Sequence, residues 1–393
     1  MELEGAIKSY DWGKLGAQSK VATLAKANNL SFNIDNENCY AELWMGDHVS
    51  GPSIVSGTGQ SLDRLLSKDN GLIGGLIKLP FLLKVLSIGK ALSIQVHPSK
   101  SEAEKLFASR PDLYKDPNHK PELAIALTPF LALCGFRPYE EIYTNLKENG
   151  PLYDLIGAEN IEQIKVNGPD GLRHCFSLLM HSKDSDVHSC IAKLSESFQT
   201  KEPTTDRRIF HQLNEQFPND VGSLCLFFLN VIELQPGQAI FLPAKEPHAY
   251  LSGDCIECMA CSDNVVRAGL TPKYKDVETL LAMLNYDGSS GESKIFRPKI
   301  VDEQQLLFAP AVEDFAVVKI QVSTKTGKYR IKNSRFGSII IVLAGKASAN
   351  AQNLEPVALK EGKICFVPAT SSYMDVDVTE DLVAYQAMYN DFL

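Results

Sequence analysis

Apolar and polar side chains alternate with a period of two along several stretches of the first third of the chain, which predicts strands. In its middle third they recur every three or four residues, which predicts helices. Residues 1–60 read as short strands and turns, with Tyr40–Gly46 strand-like and Trp44 placed as a buried sheet aromatic; Trp12, beside Gly13, fits that description less well. Ser61–Ser67 predicts a short helix with Ser61 as its cap. Pro80–Leu86 and Ala91–His97 are the next strands. Lys84 is a cation inside an apolar run, and a buried lysine needs a partner, so it marks a strand end or an anion site. Beyond His97, Ser99 and Glu102 have the spacing of a capping box and open a helix of about ten residues. Residues 120–127 return to strand, with Lys120 and Glu122 on one face. The amphipathic texture of residues 139–221 predicts an inserted helical domain. Its His174, His181, His188 and His211 lack the spacing of helical metal ligands and read as solvated or core side chains. Strand texture resumes from Leu224 to 273, a helix is expected over Asp276–Leu284, and a Gly-, Ser- and Pro-bearing linker at 287–298 leads to a last strand-rich domain.

The chemistry concentrates in two of these stretches. In Gly89–His97 (GKALSIQVH) the strand period puts Ser93, Gln95 and His97 on one face. In PGQAIFLPAKEPHAY, Gly237 precedes a short apolar strand, Ala239–Leu242, which Pro243 stops, and His248 follows the next proline. Both stretches recur. Residues 362–373 repeat 237–248 with Tyr373 in place of His248, and 345–353 parallels 89–97 without its ligand-type residues. Two related β-domains are therefore expected, the first alone equipped for metal. The formal charge of -9 disfavours nucleic acid and anionic membrane as partners. No secretion-like start or uninterrupted apolar span is evident, and nine scattered cysteines suit free thiols in a reducing cytoplasm. Cys255, Cys258 and Cys261 cannot all face one way on a strand and read as small buried residues rather than a zinc-thiolate site.

The two stretches resemble the paired motifs of the cupin barrel, with departures. Gln95 stands where the first histidine of His-x-His would be, Lys245 where a glycine would be, and the glutamate is displaced to Glu122. Gln95, His97, Glu122 and His248 supply two nitrogens and two oxygens, which suits zinc and by residue type also iron or manganese. An ordinary glutamine and histidine inside a barrel would share this spacing.

Longer stretches, YAELWMGDH (40–48), PFLLKVLSIGKALSIQVHPSKSEAEKLF (80–107), NHKPELAIALTPFLALCGFRP (118–138) and ACSDNVVRAGLTPKYKDV (260–277), closely resemble the type I mannose-6-phosphate isomerase family nearly end to end. That resemblance implies one Zn2+ on Gln95, His97, Glu122 and His248, with Arg267 catalytic. It also implies interconversion of mannose 6-phosphate and fructose 6-phosphate through an enediolate, supplying mannose 6-phosphate for GDP-mannose and glycosylation. Arginine stays charged, so Arg267 can support negative oxygen but cannot serve as the base. Glu257, Asp263, Lys120 or a metal-bound water remain candidates for that role. Ser93, Lys84 and Lys273 form the expected phosphate cluster, with Trp12 and Tyr250 nearby. The expected architecture is mainly β with an α insertion, in two cupin-type barrels or jelly rolls plus a helical domain. Residues 1–138 and 222–286 form the metal-bearing domain, 139–221 the insertion, and 287–393 a degenerate cupin-like domain. A cytoplasmic monomer acting on a small sugar phosphate is expected. The rivals are a metal-free cupin that binds or senses sugar phosphates and an iron-dependent cupin oxygenase.

Overall fold

The structure is a computed structural model that describes every residue except Asn353. His248–Ala260 is the strand around which the metal-bearing half is built, and nearly all of it is buried. Beyond Gly253 it pairs with Phe81–Ile88 and Glu122–Ala126; before Gly253 it pairs with Phe130–Phe136 and, at His248 opposite Gln95, with Ile94–Val96. The bend falls at Gly253 because φ there is +113° and a β-carbon would meet the Pro129 carbonyl oxygen at 2.7 Å, so a side chain is excluded twice. One strand thus belongs to both walls of a barrel within an 11-stranded sheet, and the chemistry lies between those walls.

Six helices between Tyr139 and Gln216 form the insertion. Their buried faces, among them Ile142, Leu172, Phe176 and Phe210, share one core with Ile94, Val96, Ala249 and Val266 of the barrel wall, so the helical block backs the strands that carry the site. Lys100–Ser109 is a helix with the capping box between Ser99 and Glu102 formed. Ser61 precedes the helix Leu62–Lys68 without a side-chain cap bond.

The C-terminal part supplies eight strands of a 10-stranded sheet, in which the order of elements follows the predicted repeat. Ile364–Val367 leads into Tyr373–Met388 as Ala239–Leu242 leads into His248–Ala260. The register differs by one residue: Ala351, the counterpart of Gln95, pairs with Met374 and not with Tyr373, the counterpart of His248, and Ser338–Ala351 runs as one strand where the first copy breaks into two; Asn353 lies outside the described residues.

Three expectations need correction. Lys20–Asn28 is a helix capped by the Ser19 side chain, not strand or turn; its Val21, Ala22, Leu24 and Ala25 are buried together on one face. Residues 287–298 are packed rather than a free linker: Ile295–Phe296 adds an edge strand to Ala239–Leu242, and the Asn230 amide donates to the Ser289 carbonyl. The first 138 residues do not all lie in the metal-bearing sheet either. Glu2–Glu4 pairs with Ile364–Val367, and Ile54–Val55 pairs with Glu2–Glu4, so both extend the C-terminal sheet.

Candidate metal centre and active site

His248, Gln95, His97 and Glu122 converge from three segments. His97 Nε2 lies 3.4 Å from Glu122 Oε1, His248 Nε2 lies 3.4 Å from Glu122 Oε2, and the Gln95 amide lies 3.4 Å from His248 Nε2. Each imidazole spends its other nitrogen on a main-chain carbonyl: His97 Nδ1 donates to Asn264 O at 2.7 Å and His248 Nδ1 to Glu246 O at 2.9 Å. A carbonyl can only accept, so the proton is fixed on Nδ1 and both Nε2 lone pairs face inward. His97 Nε2 and Glu122 Oε2 are buried with no hydrogen-bond partner, a costly state for two polar atoms unless a cation receives their lone pairs. Burial lowers His97 to about 4, which keeps it a neutral ligand, although Glu122 opposes the shift. Burial alone would raise Glu122, but Lys120, whose Nζ is 3.3 Å from Oε1, and the two histidines more than offset it and hold the carboxylate ionised. His97, Glu122 and His248 are the metal-type cluster found among the described residues. Two neutral imidazoles and a carboxylate suit one Zn2+, and Gln95 offers an amide oxygen beside them.

A cavity of about 790 Å³ opens beside this cluster, and Gln95, Glu122, Trp12, Lys84, Ser93, Lys120, Tyr250, Glu257, Asp263, Arg267 and Lys273 all line it. His97 and His248 lie just behind that lining, fully buried. Arg267 sits opposite Gln95 in the pairing of Val266–Gly269 with Ile94–Val96, with no carboxylate partner; burial lowers its pKa from an ordinary value so high that the guanidinium stays charged. Glu257 is buried and pushed up first by burial and further by Glu122 and Glu42, against the pull of Lys84. Tyr250 Oη is buried without a partner, and burial raises its pKa well above the ordinary range. Tyr10 stacks on Trp12 at the mouth. Asp263 is half exposed, 3.9 Å from His48 Nε2.

Lys84 is not at a strand end, although it lines the cavity. It is in mid-strand, and its ammonium lies 2.9 Å from Glu257 and 3.6 Å from Glu42, so it offers phosphate no free cation. Among the described residues, Arg267, Lys273 and Lys90 are the cavity cations without a carboxylate within 4.0 Å; Lys90 rests over the Phe217 ring. Ser93 lines the cavity but precedes the strand, which begins at Ile94. Lys245 adopts φ +70°, the left-handed conformation that explains why a glycine would suit that position; its Nζ holds Glu102 at 2.9 Å and its N–H donates to the His97 carbonyl.

Sequence reasoning missed three contributors. Glu42 accepts the Trp44 indole N–H and flanks Lys84; the alternation of Tyr40–Gly46, which puts Glu42 and Trp44 on one side, was its signal. Asn264 orients His97 through its carbonyl, and its side chain bonds Asp116 and Asn118 carbonyls at 2.6 and 3.0 Å, tying the loop before Glu122 to the strand of Arg267. Gln216, Phe217, Pro218 and Asp220 bring the insertion into the cavity wall, which no periodicity could show.

The family model for phosphomannose isomerase type I, catalytic domain, matches residues 1–139, and the one for its helical insertion domain matches residues 148–229. Mannose-6-phosphate isomerase of Homo sapiens is 39% identical over 98% of this chain and 97% of that protein, and that of Schizosaccharomyces pombe 38% identical over 97% of each. Among solved structures, a point variant of phosphomannose isomerase from Salmonella typhimurium superposes with TM-score 0.87 at 30% identity over 99% of this chain and 98% of that one. A zinc-bound mannose 6-phosphate isomerase gives TM-score 0.86 at 30% identity over 99% and 98%.

Proposed function

From the premise that this chain belongs to the type I phosphomannose isomerases, aldose–ketose isomerases of the cupin type, we propose that it interconverts mannose 6-phosphate and fructose 6-phosphate in the 790 Å³ cavity. The observation that carries this reading is the pair of buried, partnerless acceptors, His97 Nε2 and Glu122 Oε2, the first 3.4 Å from Glu122 Oε1 and the second 3.4 Å from His248 Nε2, on the cavity that the unpaired Arg267 also lines. Gln95, His97, Glu122 and His248 would hold one Zn2+, and that ion, when bound, supplies positive charge to a substrate oxygen.

The chain's own residues do the rest. Moving a hydrogen between C2 and C1 of an acyclic sugar requires a base for the C–H beside the carbonyl and a counter-charge for the enediolate. Glu257 faces the cavity with its pKa raised by burial, and Lys84 beside it stabilises the ionised form, so Glu257 carries the proton. Asp263, exposed at the rim, and Lys120, held by Glu122, are less suited. Arg267 supports the negative oxygen, and Lys120 keeps Glu122 ionised. Ser93, Lys90 and Lys273 meet the phosphate, while Trp12 and Tyr250 wall the sugar. We infer further that the activity needs zinc, that it supplies mannose 6-phosphate for GDP-mannose, and that the chain works as a cytoplasmic monomer. Among the described residues no helix is long and apolar enough to cross a membrane.

Purified protein with zinc should convert fructose 6-phosphate to mannose 6-phosphate, incorporate solvent deuterium at C2, and stop when the metal is chelated. Binding of the sugar phosphate without turnover would favour the non-catalytic cupin instead.

A further inference from the structure

The helical insertion ends where the catalytic strand ends. Gly222 and Gly269 pack backbone on backbone: a β-carbon on Gly269 would lie 2.6 Å from the Gly222 α-carbon, and one on Gly222 would lie 2.6 Å from the Leu270 nitrogen. Leu270 follows at φ +55°, a conformation that a leucine adopts only under constraint, with its side chain fully buried. That constraint comes from one carboxylate. Asp220 Oδ1 accepts the Leu270 and Gly222 N–H groups, each at 2.7 Å, and Oδ2 faces the Thr271 N–H at 3.4 Å. The register of Val266–Gly269 against Ile94–Val96 shifts between Arg267 and Gly269, so the direction in which the strand presents Arg267 depends on how the chain leaves it. On the far side of the turn, the Thr271 hydroxyl accepts the Lys273 N–H at 3.1 Å.

We propose that Asp220, the last insertion residue to reach the cavity wall, is a positioning residue for Arg267 and Lys273: its carboxylate holds the strained Leu270 turn, and the turn aims the two cations into the cavity. The proposal rests on the reading of that cavity as the isomerase site. It gives the insertion a part in the chemistry, because a segment that otherwise only backs the barrel fixes the position of the guanidinium opposite Gln95. The acceptor must sit where it does, and its charge is secondary.

Two variants separate position from charge. Asp220→Asn keeps the acceptor oxygen of the Leu270 and Gly222 N–H groups but turns a donor NH2 toward the Thr271 N–H and Lys275, and should lower kcat about threefold, whereas Asp220→Glu keeps the charge but shifts the acceptor by a methylene and should lower kcat ~10-fold or more, since small displacements of catalytic groups are costly. Zinc content should equal wild type in both. In an Arg267→Lys background the Asp220→Glu loss should shrink, because the two changes act on one group. The reverse ranking, wild-type kinetics in both variants, loss of zinc with activity, or full additivity with Arg267→Lys would each overturn the proposal. A wild-type protein unable to isomerise fructose 6-phosphate would instead sink the reading of the site, and the melting temperatures of the two variants would then show whether Asp220 merely holds the fold together.

Discussion

At the residue scale, ligand and catalyst are distinguished by what each side chain already touches. His248 and His97 each have one nitrogen committed to a carbonyl; the other is without a partner in His97 and meets the Gln95 amide at 3.4 Å in His248, so removing either imidazole takes away an inward-facing lone pair. His248→Ala should lower zinc content severalfold, measured by atomic emission on protein purified without added metal; full occupancy would remove it from the ligand set. Arg267 touches no other charge, so Arg267→Ala should leave zinc content unchanged while kcat/KM falls by ~10²-fold or more, the size of losses seen when charge-stabilising groups are deleted. Glu257→Gln tests the base directly: deuterium uptake at C2 should vanish with zinc retained. Because Lys84 then loses its nearest counter-ion in a buried place, the melting temperature should fall as well. Side-chain period placed Gln95 and His97 on one face, and resemblance to the cupin motifs and the isomerase family added Glu122 and His248, whereas Asn264 and Glu246, which set the histidine tautomers, act through main-chain carbonyls, and residue type carries no trace of that.

At the scale of elements, the sequence showed those whose patterns are long and whose caps are local. Lys100–Ser109 announced itself through Ser99 and Glu102, three residues apart; Lys20–Asn28 has a Ser19 cap but alternates small and polar residues without a charged return partner, so its burial against the barrel decided it. The 287–298 segment looked like a linker because Gly, Ser and Pro dominate it, yet its Ile295–Phe296 found a free sheet edge. The Val277–Met283 helix depends on Asp276, which caps Thr279 N–H and accepts Arg110 Nη1 and Tyr114 Oη, both at 2.9 Å. Burial opposes ionisation of Asp276, but these donors outweigh it and hold its pKa below the ordinary carboxylate value. A depressed acid contributes stability that is present above its unfolded pKa of about 3.9 and is lost as pH falls through the folded value. Asp276→Ala should therefore cost roughly 1 kcal/mol at neutral pH in urea melts. The difference from wild type should shrink on acidification below about pH 4, where wild type loses the same contribution. A constant difference across that range would assign the loss to packing.

At the scale of the molecule, the two β-domains are joined by burial rather than by a tether. Leu43, Leu83, Val85, Ile125 and Ile256 of the metal-bearing half share one core with Phe308, Phe315, Ile339, Phe366 and Tyr385 of the C-terminal half, and Glu2–Glu4 adds a strand across the boundary. The repeat at 237–248 and 362–373 revealed that there are two such domains, but it could not reveal that they share an interior. An apolar side chain facing its own barrel and one facing a neighbour have the same period in sequence. His119, next to Lys120, also pairs with Asp314 at 2.8 Å, so the C-terminal half touches the loop that delivers Glu122. The C-terminal half, with Tyr373 where the first copy has His248, thus completes an apolar core of the metal-bearing half. Calorimetry should show a single unfolding transition for the whole chain, and zinc should raise its midpoint because the ion binds the folded state alone. Phe308→Ala, at the junction and over 40 residues from any ligand in sequence, should lower that midpoint by removing roughly 3–5 kcal/mol of core packing without splitting the transition. Two separable transitions, with zinc shifting only the first, would mean that the halves fold independently and that their common core is an incidental contact.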